Sequence, residues 1–335
     1  MIIMNRYFYF LFLAILMGCI SDGETEKYQG SRNNIVNAKT EVKEISIDEV
    51  LIGSLVRLEI LNDWLIIHDC ASLDTLIQII DKNHFIRVGR ATVRGEGPKE
   101  ITNMGNIIID KERRLLHITD FGKNKIFFFS MDSILSNPSY FPKEYVNIKD
   151  LVFPDRYMYF NDTLCLARII TKKKGTPFQQ SLAFWNMKSG DIRPLEYAHP
   201  EVERKRATFI ASREKDLIVE CYSHHDLMTI CDFQGHLKYN IYGSRWDNRM
   251  SNRIHYYDRV CLYKDKIIAA YSGGDNMTEY EPTCFLIFDL EGNYIKTINI
   301  GYRFQDYCID EENNRIIMAM NEDFQFAYWD IGDHI

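Results

Sequence analysis

Residues 284–301 read CFLIFDLEGNYIKTINIG, and this stretch decides the fold class. Residues 284–288 form an unbroken apolar run, the mark of a strand covered on both faces. Asp289-Leu290-Glu291-Gly292 follows as a tight turn, with Gly292 free to take positive φ. Residues 294–300 then interleave Lys296, Thr297 and Asn299 with apolar side chains, as on a less buried outer strand. A buried strand, a turn and a half-exposed strand make the outer half of a small antiparallel sheet.

The rest of the chain repeats this pattern loosely in about six units. Unit one holds residues 64–69, 76–80 and 85–89. Unit two holds 107–109, 115–119 and 126–129, and unit three 158–160, 164–170 and 182–185. Unit four holds 209–211, 217–221, 228–231 and 237–242. Unit five holds 260–263, 267–271 and the opening stretch, and unit six 307–309, 316–320 and 324–330. The turns after the third strands fall at Asp81, Ser130, Asn186, Asp232, Asp289 and Asp330, so the intervals are 49, 56, 46, 57 and 41 residues. Spacing near 50 fits propeller blades of four strands with variable loops, and it is too long for ankyrin or tetratricopeptide units. Blades stacked face to face bury both sides of their central strands, which accounts for the continuous apolar runs. A short piece around residues 131–135 is the one helical candidate.

Unit six stops at Trp329-Asp330-Ile331-Gly332 with no fourth strand. Residues 42–47 (VKEISI) alternate and precede the first full unit, so they are expected to supply it. Such closure hides both sheet edges. The expectation is an all-β, six-bladed propeller of four-stranded antiparallel blades over residues 41–335, its ring closed by an N-terminal strand.

Residues 1–18 are expected to lie outside the fold. Arg6 is their only charge and residues 7–17 are an 11-residue apolar run, which fits a secretory signal and is short for a membrane span. Leu16-Met17-Gly18-Cys19 reads as a bacterial lipoprotein signal box, with Cys19 the lipidated first residue of the mature chain. Residues 19–40 are polar, acidic at 22–26 and without periodicity, and read as a flexible tether.

By these residues the chain resembles the TolB-like six-bladed propeller lipoproteins of Gram-negative bacteria. The resemblance covers residues 41–335. It rests on the six units, the D-x-x-G turns at 232–235 and 289–292, and Gly95-Glu96-Gly97-Pro98-Lys99-Glu100. The last segment is similar to a Gly-x-Gly-Pro-Gly-Glu loop after the first blade of such proteins, with Lys99 in place of the third glycine. The resemblance implies a fold and an envelope location, and it supplies no catalytic residues.

Net charge is −7, or −8 once the single positive charge of residues 1–18 is set aside. That balance argues against nucleic acid, which needs a basic face. Apart from Cys19 there are seven cysteines, none in a C-x-x-C pair and most inside apolar runs, so they read as small buried hydrophobes. No G-x-S-x-G, H-E-x-x-H or phosphate-loop motif occurs.

Three loops carry candidate ligand groups. Arg90, Arg94, Glu96 and Lys99 form a charged, glycine-containing loop that either grips an anion at the channel mouth or serves as a crossover between blades. His224 and His225 are metal-ligand types, although neighbours on a strand point to opposite faces. Asp275 offers an oxygen ligand in a loop that matches no calcium-binding pattern. No catalytic, cofactor or metal residue is assigned. The expectation is a monomeric, non-enzymatic module, lipid-anchored to a Gram-negative outer membrane. It would bind an envelope protein, peptide or glycan and touch the membrane only through its lipid. The alternative is a propeller enzyme, a lyase, lactonase or hydrolase, working at the channel mouth.

Overall fold

A computed structural model describes residues 25–148, 153–171, 179–203, 205–249 and 251–335. Residues 1–18 and Cys19 lie outside the described residues. The described chain forms six sheets arranged as blades. Blade 1 comprises Val56–Leu61, Trp64–Asp69, Thr75–Asp81 and Ile86–Val93. Blade 2 comprises Met104–Asp110, Leu115–Asp120, Lys125–Ser130 and Tyr145–Asn147. Blade 3 comprises Phe153–Asn161, Leu164–Thr171, Gln179–Trp185 and Ile192–Pro194. Blade 4 comprises Ala207–Ser212, Leu217–Tyr222, Leu227–Cys231 and Leu237–Tyr242. Blade 5 comprises Ile254–Tyr263, Lys266–Asp275, Cys284–Asp289 and Tyr294–Asn299. Blade 6 comprises Phe304–Asp310, Arg315–Met320 and Phe326–Asp330, completed by Lys43–Ile45.

The ring shape follows from how the apolar side chains alternate. On a strand, successive side chains point to opposite faces. In blade 1, Leu65 and Ile67 pack toward blade 6 while Ile66 packs toward blade 2. The same division recurs around the circle. Among the described residues, six apolar clusters each straddle one pair of neighbouring blades, and the series closes from blade 6 back to blade 1. Glycine serves the seams where a backbone must come close. Gly292, at φ +80°, sits where a Cβ would lie 2.6 Å from Ile241 of blade 4. The helix over Met131–Ser136 lies where the sequence suggests one, capped by the Ser130 hydroxyl accepting from the Ser133 amide.

Closure is of the expected kind. Phe326, Ala327 and Tyr328 pair antiparallel with Ile45, Glu44 and Lys43. Ile45 and Ile47 enter the blade 6–blade 1 cluster, and Trp329 donates its indole N–H to Glu41 at 3.1 Å.

For residues 25–40 the structure corrects the reading of 19–40 as tether; residues 19–24 lie outside the described residues. Glu26–Tyr28 pairs in parallel with the outer strand of blade 4, and Ile35–Asn37 pairs in parallel with the outer strand of blade 5. The segment is a strap that crosses blades 4, 5 and 6 in turn. Its strands are three residues long, too short for a period-2 signal. Between them Arg32 inserts its guanidinium beside Asp226 at 2.8 Å and donates to the Tyr257 hydroxyl at 3.0 Å, with its side chain 9% exposed. Tyr28 stacks on Tyr242 with ring centroids 4.5 Å apart. The strap also explains why Ile298 is wholly buried, although its strand reads as an outer one. Three blade strands fall outside the units read from sequence: Val56–Leu61, where Arg57 and Glu59 alternate with apolar residues, and the brief Tyr145–Asn147 and Ile192–Pro194.

Deleting residues 41–48 removes the closing strand and should lower the melting temperature by well over 10 °C, roughly 2–4 °C being lost per kcal/mol in a chain of this size. Differential scanning calorimetry of the deletion variant checks this, and an unchanged melting temperature refutes closure by this strand.

Candidate functional site

All six inner strands run the same way through the ring, so the molecule has an entry face, where they begin, and an exit face, where they end. Loops from one blade to the next lie on the entry face, as do the loops joining second and third strands. Aspartates pin these loops. Asp69 accepts from the amides of Gly53, Ala71 and Ser72 at 2.7–3.1 Å. Asp120 accepts from Thr102, Asn103, Gly122 and Lys123 at 2.9–3.2 Å. Each carboxylate ties the loop that enters a blade to the loop that leaves its second strand, so the face is held by hydrogen bonds to charge.

Most of the sequence candidates sit on this face, but in separate loops. Arg90 lies exposed on the outer strand of blade 1, and Arg94 at its end donates to the Cys70 carbonyl. Glu96 and Lys99 are exposed. Their loop folds around Glu100, which accepts from the Gly97 amide at 2.8 Å, while Lys123 donates to the carbonyls of Gly97 and Glu100. A Cβ on Gly95 would strike the Glu100 carboxylate and push that side chain off the Gly97 amide. His224 and His225 point to different partners, the Ile254 carbonyl and the Asp247 carbonyl. Burial lowers the His224 pKa. Asp275 caps its own turn by accepting from the Met277 amide at 2.8 Å, which holds its pKa below the ordinary value. Among the described residues, no group of three or more His, Cys, Asp or Glu is placed to hold a metal ion. The seven described cysteines are unpaired, and burial pushes the Cys165, Cys231 and Cys284 thiols up to about 12.

Large exposed apolar side chains gather on the same face. Leu51, Leu55, Leu73, Met277 and Tyr280 are 50–88% exposed. Leu51, Leu55 and Leu73 belong to loops of blade 1, and Met277 and Tyr280 to the long loop of blade 5, with blade 6 between them. Leu55 and Tyr280 also line a cavity of about 310 Å³ at this end of the channel.

The channel interior is charged. Asp306 of blade 6 accepts from Arg259 of blade 5 at 2.7 Å, from Arg57 of blade 1 at 3.2 Å, and from the Leu58 amide at 2.7 Å. Arg259 reaches past blade 6 to the Leu58 carbonyl at 2.7 Å and to Glu59 at 2.9 Å. Burial works against the Arg259 charge, yet Asp306 and Glu59 more than offset it and hold its pKa above the ordinary arginine value. In blade 3, Asp155 accepts from Arg168 in a bidentate pair. Sequence reasoning missed all of these groups. The available signal was the Asp-Arg dipeptide inside an aromatic run, which occurs twice, in PDRYMYF and YDRVCLY.

Beside the channel, His68 and His117 are buried, and burial lowers both pKa values to about 4. Both imidazoles are therefore neutral at pH 7. Among the described residues, His68 Nδ1 and His117 Nε2 have no hydrogen-bond partner.

A family model described as 6-bladed beta-propeller (DUF5128) matches residues 46–167. No curated protein matches. Among solved structures the chain is similar to a member of the DUF4221 family from Bacteroides vulgatus, with TM-score 0.59, 11% identity, and 87% of this chain and 98% of that one covered. It is similar to a putative exported protein from Bacteroides fragilis, with TM-score 0.53, 9% identity, and 91% and 98% covered. It is also similar to the beta-propeller domain of Cps50 (Swd1) from Myceliophteria thermophila, with TM-score 0.53, 9% identity, and 85% and 98% covered. At these identities the likeness concerns fold alone. The protein is a six-bladed β-propeller.

Two outcomes are expected at this site. Asp306→Ala takes the shared carboxylate from the buried Arg259 and the partly exposed Arg57 and leaves the Leu58 amide without its acceptor, and urea denaturation should show a loss of about 3 kcal/mol. The two histidines titrate lower in the folded chain than the ordinary 6.5, so they add stability above that pH, and it is lost as the pH falls toward about 4. Denaturation midpoints measured from pH 7 to 4.5 should fall, and His68→Gln with His117→Gln should flatten the slope. An unchanged slope in the double variant removes the histidines as its cause.

Proposed function

We propose that this protein is a lipid-anchored, non-enzymatic binding module of a Gram-negative cell envelope, and that its entry face docks a protein or peptide partner. The carrying observation is the set of exposed side chains at Leu51, Leu55, Leu73, Met277 and Tyr280 around one end of the channel. Exposed apolar groups gathered on a pinned, rigid face cost solubility and are the usual mark of an interaction surface. Four of the five are aliphatic and only Tyr280 is aromatic, which favours a polypeptide over a glycan, since a glycan would call for stacking aromatics. The charged channel mouth beside them supplies polar groups that fix the partner's register.

The signal-like residues 1–18 and the box ending at Cys19 support export and anchoring, as in the TolB-like lipoproteins that the chain resembles. The likeness to a putative exported protein of Bacteroides fragilis points the same way. Among the described residues, no helix is long and apolar enough to cross a membrane. Cys19 stands six residues before Thr25, where the strap begins. Six extended residues reach at most about 20 Å. A lipid on Cys19 would therefore hold the disc by its rim at blade 4 and leave the entry face free.

The test is photo-crosslinking on intact cells from a probe residue placed at Leu51. The native protein should give one discrete adduct, and Leu73→Lys with Met277→Lys should lose it at unchanged melting temperature. Persistence of that adduct refutes the apolar face as the docking surface. In the same cells Cys19→Ala should leave the membrane fraction, and retention there refutes the anchor.

A further inference from the structure

Three of the channel guanidiniums have carboxylate partners: Arg57 and Arg259 share Asp306, Arg259 also holds Glu59, and Arg168 grips Asp155. Arg156 has none among the described residues. Its one hydrogen bond among the described residues is a 3.4 Å contact to the Thr208 hydroxyl. The guanidinium presents five donors in a fixed fork, and one neutral acceptor leaves most of them unused. Burial first, and then the like charges of Arg259, Arg57 and Arg168, push the Arg156 pKa down to about 10, so it remains a cation at neutral pH. A positive group in such surroundings is costly unless something negative faces it.

The space to face it exists. Arg156 lines a cavity of about 710 Å³ that also touches Arg57 and Arg259, so cations from blades 1, 3 and 5 meet around it. That volume lies in the range of small-molecule sites, about 300–1,000 Å³. Along the blade 3 strand beyond Arg156, Met158 and Phe160 line the same cavity, with Ile210 opposite on blade 4. Four carboxylates also line the chamber: Glu59 is paired with Arg259, Asp110 and Asp162 with Arg113, and Glu112 stands exposed to solvent. That leaves the Arg156 cation and the apolar wall for a ligand with two such parts.

We propose that this cavity binds a small organic carboxylate with an apolar body. The carboxylate takes Arg156 as its bidentate partner, within the field of Arg57 and Arg259, and the apolar part lies along Met158, Phe160 and Ile210. Arg57 lines both this chamber and the smaller cavity of the entry face, but the docking reading is tested at Leu51, Leu73 and Met277 and this one at Arg156 and Met158, so either can fail without the other.

The test uses the purified full chain, with benzoate and phenylacetate as probes and neutral benzamide as control, followed by isothermal titration and thermal shift. The acids should bind saturably at millimolar concentration or below. Benzamide should bind at least roughly tenfold more weakly, the discrimination that a charge-assisted pair provides. At ten times its Kd an acid should raise the melting temperature by about 3 °C. Arg156→Met should weaken the acids at least tenfold yet melt no lower than the native protein without ligand, because it removes an unpaired cation. A residue placed only for structure would instead lower the melting temperature. Met158→Trp, which fills the chamber and keeps Arg156, should also abolish binding, and it decides the matter if Arg156→Met does not fold. Equal binding of acid and amide, no saturable binding of either acid, or full binding in Arg156→Met or Met158→Trp overturns the proposal.

Discussion

Asp306 binds three things that belong to two other blades: the Arg259 guanidinium of blade 5, and the Arg57 guanidinium and Leu58 amide of blade 1. The other features of the ring depend on what this contact accomplishes. Apolar seams hold neighbouring blades together without direction, since the hydrophobic effect rewards area and not register. A ring also has to meet itself at one angle. The seam between blades 6 and 1 is where the two ends of the repeat join, and there the directional bonds accumulate. Buried Lys82 of blade 1 donates to Asp310 and Glu312 of blade 6 at 2.9 and 2.7 Å, and Arg315 returns a bond to the Lys82 carbonyl at 2.6 Å. Buried ion pairs add little net stability compared with apolar packing, but they tolerate few alternative geometries. The seam combines the Ile45, Ile317 and Phe326 cluster for adhesion with these pairs for alignment.

What was legible in the sequence follows from the same division. The blades are readable because strands buried on both faces must be apolar throughout, as in Cys284–Asp289 and Arg315–Met320. The closing strand is readable because blade 6 lacks an outer member. The strap is not, because its Glu26–Tyr28 and Ile35–Asn37 strands are held by edges that already exist and need no pattern of their own. A parallel strand on a finished edge asks only for backbone groups and a few anchors, here Arg32 and Tyr28.

The candidate sites show the opposite bias. Charged loops attract notice in a sequence, and Arg94, Glu96, Lys99 and Asp275 are charged loop residues. In the structure they hold turns or stand in solvent. The channel groups hide inside strands, where a lone Arg57 or Arg156 looks like an exposed position on an alternating strand. Only the closed ring brings blades 1, 3 and 5 round to a common axis, and no local window of sequence contains that juxtaposition.

The closing pair joins residues 285 positions apart, Lys43 and Tyr328. Contacts at such separation form late, because the chain must first give up the entropy of the whole intervening loop. The segment synthesised early thus waits for the segment synthesised late. Until then, blades 4, 5 and 6 all present uncovered strand edges, which are templates for pairing with other chains. A ribosome-bound or truncated product lacking residues 326–330 has no geometry that hides the edge of Arg315–Met320. For this ring, completeness of the polypeptide is itself a condition for covering its own edges.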